Sequence, residues 1–163
     1  MIDQTLYKSV LGNFVTGVVV VTTIDEDNGI AGLTANAFSA VSLEPPLIMV
    51  CTQKKSSSYQ RILTQETFAV HILADHQVET AWAFARQQGS SMADVKWHIN
   101  EKGIPVLDEY MSLIECRLWK AYDGGDHNIL VGEVLSMDTK EDNDTPLIFH
   151  RGSMAVLPST VSA

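Results

Sequence analysis

The sequence predicts a mainly β fold, a β-barrel flanked by a few short helices. About six or seven short apolar segments, several of them rich in β-branched residues, are bounded by Gly, Pro or polar clusters. These segments do not alternate regularly with helices, which disfavours a doubly wound parallel sheet. The chain has 163 residues, of which 45% are hydrophobic and 19% charged, with no internal repeat or linker. We therefore expect a single domain over residues 1–163.

The first half of the chain predicts strands separated by short helices. Gln4–Leu11 has the pattern of a helix that ends at Gly12, because glycine is common just after a helix C-terminus. Phe14–Thr23 (FVTGVVVVTT) is almost continuously apolar, which indicates a central strand covered on both faces. Shorter segments predict strands at Gly29–Thr34, Leu47–Thr52 and Phe68–Leu73, and helices at Ser56–Thr64 and Val78–Gln88.

The second half predicts a long hairpin. In Met111–Tyr122, apolar residues alternate with charged ones, which places one face of the strand in the core. Asp123–Asp126 supplies two glycines for a tight reversal, and Ile129–Met137 returns as the partner strand. Pro146–Leu157 offers a last strand.

The charge balance and the cysteines exclude several functional classes. With 11 Lys and Arg against 20 Asp and Glu, the net charge is −9, so nucleic acids and anionic membranes are not expected partners. Asp3 and Lys8 stand where a signal peptide would be apolar, and no segment reaches the ~20 apolar residues that span a bilayer. We expect a cytoplasmic protein. Cys51 and Cys116 have no C-x-x-C partner and are expected to be reduced thiols in strands.

Standard catalytic motifs are missing from the sequence. It contains no G-x-G-x-x-G, G-x-x-x-x-G-K-[ST], G-x-S-x-G or H-E-x-x-H. A nucleotide site therefore cannot be assigned from a glycine loop, and a serine hydrolase would lack its nucleophile elbow. The histidines do not have the spacing of metal ligands, so we expect no metal site. They are His71, His76, His98, His127 and His150.

Three segments are more polar than plain core strands would be. In Thr34–Ser42, small residues alternate with Thr, Asn and Ser, which suits either a bulged strand or close approach of a polar ligand to the backbone. Lys54–Ser58 precedes a predicted helix, which suits either a serine N-cap or a phosphate cradle at the helix N-terminus. Gly124–His127 suits a hairpin turn, and His127 is the one residue that the turn does not explain.

Together these segments resemble a known family. The order and spacing of several motifs over Leu11–Leu157 are similar to the flavin reductase-like family of FMN-binding split barrels, the reductase components of two-component flavin monooxygenases. The motifs are LGxFxTGVxVVTT from Leu11, GLTANAFSAVSLEPP from Gly32, FAVxIL from Phe68, GIPVL from Gly103, EC at Glu115 and GGDHxIxxGEV from Gly124. The resemblance implies a Greek-key split β-barrel with a few short flanking helices.

The resemblance also implies cofactor-binding residues. The flavin ring and ribityl chain would lie against Thr34, Ala35, Asn36 and Ala37, and the flavin phosphate against Thr52, Gln53, Ser56, Ser57 and Ser58. Phe84 and Arg86 would approach the same cofactor. The implied catalytic position is His127, where the nicotinamide nucleotide stacks, with Phe149, His150 and Arg151 near the pyridine nucleotide.

The activity implied by the resemblance is hydride transfer from NADH or NADPH to FMN or FAD, which supplies reduced flavin to a separate oxygenase. A homodimer is expected, since family members place the flavin near a subunit interface. The alternative is a flavin-binding electron carrier or storage protein without turnover. Two positions depart from the family: Ala37, where many relatives have Ser, and Met154, where an aromatic residue is common.

Both proposed ligands are anionic, whereas the chain is acidic. We therefore expect the cleft to form a local basic region on an otherwise acidic surface. Its cations would be Lys54, Lys55, Arg86 and Arg151, together with helix N–H groups.

Overall fold

The computed structural model describes residues 2–86, 92, 94–140 and 145–157, and it confirms a mainly β fold. The helices are α1 (Gln4–Leu11), α2 (Ser57–Gln65) and α3 (Val78–Arg86), and a short 3₁₀ turn (Asp75–Gln77) precedes α3. The strands are β1 (Thr16–Gly17), β2 (Val19–Ile24), β3 (Ile30–Ala35), β4 (Phe38–Leu43), β5 (Pro46–Gln53), β6 (Thr67–Ile72), β7 (Trp97–Ile99), β8 (Pro105–Leu107), β9 (Ser112–Gly124), β10 (His127–Thr139), β11 (Leu147–His150) and β12 (Ser153–Val156).

The main sheet is forced to close on itself. Its seven strands are antiparallel to their neighbours in the order β3-β2-β6-β9-β10-β5-β4. Strands β3 and β4 lie at opposite edges, yet only Asn36 and Ala37 join them. Three residue steps span at most about 11 Å, whereas seven flat strands would separate the edges by about 29 Å. The sheet therefore rolls into a barrel, and we call the meeting of β3 and β4 the seam.

Strand β2 is covered on both faces, as its apolar sequence predicts. Val19 and Val21 point into the barrel, where they pack in one core with Phe68. Val20 and the preceding Val18 point outward into a second core, which is formed by residues of α3, β8 and β11. Because both faces meet apolar side chains, the strand does not alternate between apolar and polar residues.

Two predicted strands are each divided in the structure. Phe14–Thr23 is not continuous, because Thr16 and Gly17 pair with β11 in a second small sheet and only β2 joins the barrel. Pro146–Leu157 is a hairpin of β11 and β12, which reverses at Arg151 (φ 50°) and Gly152 (φ 81°). A further hairpin, β7–β8, has strands of three residues, too short for a periodic sequence signal.

The leading helix is confirmed, but its end differs from expectation. Asp3 caps α1 by accepting a hydrogen bond from the Thr5 N–H at 2.8 Å. Gly12 has a right-handed φ of −62°, so no left-handed cap is formed. A Cβ at Gly12 would lie 2.9 Å from the carbonyl oxygen of Lys8. Glycine is needed here for close backbone approach.

A buried histidine joins three strands of the fold. His71 on β6 is fully buried, with its Nδ1 3.1 Å from the Val20 carbonyl oxygen and its Nε2 accepting from the Leu107 N–H at 3.1 Å. A carbonyl only accepts and an N–H only donates, so Nδ1 carries the proton and the ring is neutral. Burial lowers the pKa of His71 to about 4, against a smaller opposing effect of the Val20 hydrogen bond.

This histidine predicts acid sensitivity. Between about pH 6.5 and pH 4 the unfolded chain binds a proton at His71 that the native state excludes, so stability falls as the pH falls through this window. The loss by pH 4 is of the order of 3 kcal/mol in the free energy of unfolding. Chemical denaturation across this window should show a slope that His71→Gln removes and that His76→Gln, at an exposed site, retains. The same slope in both variants would contradict the assignment.

Candidate functional site

A cleft of about 530 Å³ opens at the seam, within the size range of small-molecule sites. Its walls come from the end of β3 and the two-residue link, the end of β5, the start of α2, the last turn of α3 and the start of β10. The lining residues are 33–37, 51–53, 55–57, 84–86 and His127. Three polar sequence segments thus meet in one place because the barrel closes there.

Two buried hydroxyls in the segment that leads from β5 into α2 have no partner among the described residues. Ser56 occupies the N-cap position in an extended conformation, but its side chain makes no capping hydrogen bond. Ser56 Oγ and Thr52 Oγ1 are buried and have no hydrogen-bond partner among the described residues. A buried unpaired hydroxyl is destabilising, so its presence beside a helix N-terminus indicates a place for a ligand oxygen. Of the two readings of this segment, the arrangement favours an anion cradle over a serine cap.

The wall formed by α3 depends on a glycine and a threonine of β3. A Cβ at Gly32 would lie 2.6 Å from the Phe84 ring, so only glycine lets this ring pack against β3. The Thr34 hydroxyl donates to the Ala81 carbonyl oxygen at 2.5 Å. The donor of Thr34 is therefore used to hold α3, and its oxygen retains acceptor capacity toward the cleft.

His127 is the first residue of β10 and stands at the cleft beside a carboxylate. It pairs with Gln53 of β5 and Gly124 of β9, so two strands fix its backbone. His127 Nδ1 lies 2.7 Å from Asp126 Oδ1, and this hydrogen bond is the largest cause of the lowered pKa of Asp126. Within the turn, only Gly125 is left-handed, with a φ of 87°. Gly124 belongs to β9 and His127 to β10, so both strands reach further toward the turn than the sequence predicts.

Lys54 is directed to the hairpin rather than to the cleft. Its backbone N–H donates to the Asp126 carbonyl oxygen at 3.2 Å, and its ammonium group forms an ion pair with Asp123. The Lys54 hydrogen bond is the main cause of the lowered pKa of Asp123. Lys55, the next residue, lines the cleft. Of the two adjacent lysines, Lys55 therefore supplies the positive charge at this wall.

Some predicted site residues lie elsewhere. Ser58 is buried outside the lining, where its hydroxyl donates to the Gly32 carbonyl oxygen at 2.7 Å. Phe149 packs in the outer core. Arg151 bonds to the residues that follow α1: its backbone N–H donates to the Gly12 carbonyl oxygen, and its Nε donates to Asn13 Oδ1 at 2.9 Å. The cofactor roles of Phe149, His150 and Arg151 stay predictions, since these residues are outside the cleft lining.

Three lining residues were not identified as site residues from the sequence, namely Leu33, Cys51 and Ala85, the last of which stands between the predicted Phe84 and Arg86. Leu33 and Cys51 have the appearance of ordinary strand residues, and only their neighbours Thr34 and Thr52 signalled a site. Burial raises the pKa of the Cys51 thiol, so it is a neutral wall residue at pH 7. Both Cys51 and Cys116 are free thiols on strands, as the sequence predicts.

Neither a metal cluster nor a membrane-crossing helix is found in the described part of the chain. No three His, Cys, Asp or Glu side chains in residues 2–86, 92, 94–140 and 145–157 come together as metal ligands. The helices within the same ranges lack the length and apolar character needed to cross a bilayer.

Comparisons with known proteins agree with this architecture. The family model described as "Flavin reductase like domain" matches residues 11–158. The reductase subunit HsaB of a flavin-dependent monooxygenase from Mycobacterium tuberculosis is 35% identical over 152 residues, which cover 93% of this chain and 81% of HsaB. SmoA of Agrobacterium fabrum, named an FMN reductase (NADH), is 40% identical over 147 residues, which cover 90% of this chain and 82% of SmoA.

Solved structures are similar over the whole barrel. Component B of nitrilotriacetate monooxygenase from Mycobacterium thermoresistibile has a TM-score of 0.91 at 32% identity, covering 99% of this chain and 91% of its own. The Streptomyces globisporus NADH:FAD oxidoreductase SgcE6, in complex with NAD and FAD fragments, has a TM-score of 0.90 at 32% identity. That match covers 98% of this chain and 96% of SgcE6.

Removing the Thr52 hydroxyl and removing the Ser58 hydroxyl should have different effects on stability, because only the Ser58 hydroxyl has a hydrogen-bond partner among the described residues. Thr52→Val removes a buried hydroxyl that has no partner and keeps the side-chain shape, so the free energy of unfolding without ligand should stay unchanged or rise by up to about 1 kcal/mol. Ser58→Ala removes a buried hydrogen bond to Gly32 and should lower the free energy of unfolding by about 1–2 kcal/mol. Urea denaturation of both variants measures the contrast. A loss for Thr52→Val as large as that for Ser58→Ala would contradict it.

Proposed function

The chain belongs to the flavin reductase like domain family, and from this premise we propose how its cleft works as that of an NAD(P)H-dependent flavin reductase. The enzyme transfers hydride from NADH or NADPH to FMN or FAD and supplies reduced flavin to a partner monooxygenase. The observation that carries the site assignment is a pair of buried hydroxyls without a partner among the described residues: Thr52 Oγ1 at the end of β5 and Ser56 Oγ at the N-cap of α2.

This end of the cleft fits the phosphate of a flavin nucleotide. The hydroxyls of Thr52 and Ser56 would donate to its oxygens, and the first N–H groups of α2 add the positive end of the helix dipole. Lys55 supplies a full positive charge at the same wall. Together these groups form the local basic region that an acidic chain needs to bind an anion.

The flavin ring system would lie along the seam. Residues 34–37 line the cleft with small side chains, so a flat ring can approach their backbone. The carbonyl of Ala37 accepts from the Cys51 N–H at 3.0 Å, which fixes the position of this link. Backbone N–H groups and the Asn36 side-chain amide would donate to the ring from this side. Such donors stabilise negative charge on a reduced flavin.

A bound flavin would supply the redox chemistry by acting as the acceptor of hydride from the nicotinamide. The protein has to hold the two rings in contact and exclude water. His127 lines the cleft, and its Nδ1 forms a hydrogen bond with Asp126. Its Nε2 forms no hydrogen bond with the described residues and can therefore contact the nicotinamide nucleotide.

The chain is proposed to act as a homodimer in the cytoplasm. Helix α1 buries none of its residues, and Leu6, Val10 and Phe14 remain more than half exposed. A second copy would cover this apolar surface. A reducing compartment would keep Cys51 and Cys116 as thiols. Sedimentation equilibrium would measure the mass in solution, and a monomer at micromolar concentration would contradict the dimer.

A turnover assay tests the activity and distinguishes it from simple flavin storage. Purified protein is mixed with NADH or NADPH and with FMN or FAD, and loss of the reduced nicotinamide is followed in all four pairings. Multiple turnovers with at least one pairing are expected. Flavin binding without turnover in any pairing would instead support an electron-transfer or storage protein.

His127→Ala should act mainly on the nicotinamide nucleotide. Removal of the imidazole should raise the KM for NADH by roughly tenfold, equivalent to about 1.4 kcal/mol, while the Kd for flavin changes by less than about twofold. His98→Ala is a matched control, because His98 forms the same kind of pair with Asp108 at 2.8 Å outside the cleft lining. Equal losses of both affinities in His127→Ala would contradict this assignment.

Thr52→Val and Ser56→Ala should act on the flavin phosphate. Each variant loses a donor to a charged oxygen, so the Kd for FMN should rise by about five- to tenfold, whereas the Kd for riboflavin, which has no phosphate, should not change. Thr64→Val is the control, since its hydroxyl bonds to the Gln60 carbonyl within α2. Fluorescence titration gives both constants. If riboflavin binding weakened by the same factor, the two hydroxyls would contact a part of the flavin other than its phosphate.

A further inference from the structure

We propose that Trp82 is a positioning residue that holds the Arg86 guanidinium at the cleft, so that Arg86 binds a phosphate group of the nucleotide cofactors. This inference rests on the proposed function and deepens it. Trp82 lies outside the cleft lining, whereas Arg86 belongs to it. Trp82 would therefore act through Arg86 and not by touching the ligand.

The contact follows from helix geometry. Trp82 and Arg86 are four residues apart on α3, so their side chains lie on the same helix face. The guanidinium carbon of Arg86 is 4.9 Å from the centre of the Trp82 ring, within the range of a cation–π contact. Trp82 is half-buried and Arg86 is exposed, so the indole offers a fixed surface to a long and otherwise mobile side chain.

Arg86 differs from the other arginines in what it contacts. Arg61 is paired with Asp25 and Glu26, Arg117 is paired with Glu133, and Arg151 bonds to Asn13. Within residues 2–86, 92, 94–140 and 145–157, the Arg86 guanidinium contacts the Trp82 ring. Stacking on an aromatic face orients the planar guanidinium and leaves its N–H donors for a ligand.

The position of Arg86 complements the cradle at α2. Helix α2 packs through Ile62 into the core inside the barrel, and α3 packs through Phe84 into the outer core. Strands β2 and β3 separate these two cores, so the cleft runs past the end of β3 with one helix on each side. Lys55 and Ser56 stand on the α2 side, and Arg86 stands on the α3 side. The cleft thus has a second anion-binding point, which suits ligands that carry phosphate or pyrophosphate groups.

Trp82 matters because ordering an exposed arginine costs conformational entropy. With the side chain already stacked, less of this entropy is lost when the phosphate binds. Removing the indole should therefore weaken phosphate binding while leaving the charge of Arg86 in place. The size of a cation–π contact at such a site corresponds to about a two- to fivefold change in Kd.

A double-mutant cycle tests the proposal. The variants are Trp82→Leu, Arg86→Gln and the double change, with Trp82→Phe as the conservative variant. Tyr122→Leu is the matched control, because Lys120 lies 5.1 Å from the Tyr122 ring in a cation–π contact outside the cleft lining. The measurements are the Kd values for FMN and riboflavin from fluorescence titration and the inhibition constant of ADP-ribose against NADH. Circular dichroism and thermal melting check the fold of each variant.

The expected result is specific to phosphate. Trp82→Leu should weaken FMN relative to riboflavin if Arg86 binds the flavin phosphate, or ADP-ribose if it binds the dinucleotide pyrophosphate, by about two- to fivefold. Trp82→Phe should retain most of the affinity, and Tyr122→Leu all of it. In the Arg86→Gln background, Trp82→Leu should have no further effect. If Trp82→Leu does not fold, the cycle is run with Trp82→Phe, and a small loss that vanishes in the Arg86→Gln background is expected.

Two outcomes overturn the proposal while the reductase function stands. One is that Trp82→Leu folds and binds FMN, riboflavin and ADP-ribose as tightly as the wild-type protein does. The other is an equal loss with and without Arg86→Gln, which would give Trp82 a purely structural role. Failure of the wild-type protein to bind flavin or to oxidise NADH and NADPH would instead refute the proposed function itself.

Discussion

The two-residue link between β3 and β4 is the constraint on which the rest of the structure depends. Asn36 and Ala37 connect opposite edges of a seven-stranded antiparallel sheet, and so short a connection can exist only if those edges meet. Closure brings the end of β3 beside the end of β5, where the Cys51 N–H bonds to the Ala37 carbonyl. The cleft is the space left at this junction, so the site is a direct product of how the barrel closes.

Once the barrel is closed, the helices are set by the packing of β2 and β3. The two faces of β2 are both apolar, which allows α2 to cover one side and α3 the other. Gly32 admits the Phe84 ring, and the hydroxyls of Thr34 and Ser58 tie the helices to β3. Each helix therefore presents one end to the cleft, and the two ends carry the positive charge that an acidic protein needs there.

The sequence analysis located most of the site, and its errors have a common cause. Thr34–Ala37, Thr52, Ser56, Arg86 and His127 were selected from separate segments, and all of them line one cleft. Ser58 and Lys54 are beside the right residues, but the helical turn directs the hydroxyl of Ser58 to Gly32 and the hairpin holds Lys54 at Asp123. Which neighbour faces a ligand depends on side-chain direction, and a sequence motif does not encode that direction by itself.

Local sequence alone determined the three helices, most strands of the barrel, the apolar character of both faces of β2, the long β9–β10 hairpin and the family. These features depend on periodicity and turn chemistry within a few residues, or on the order of motifs along the chain. The tertiary structure decided the breaks within two predicted strands, the neutral buried state of His71 and the unpartnered state of Thr52 and Ser56. It also decided the stacking of Arg86 on Trp82. These features depend on which distant or neighbouring groups meet after closure, and burial and partner geometry exist only in the folded chain.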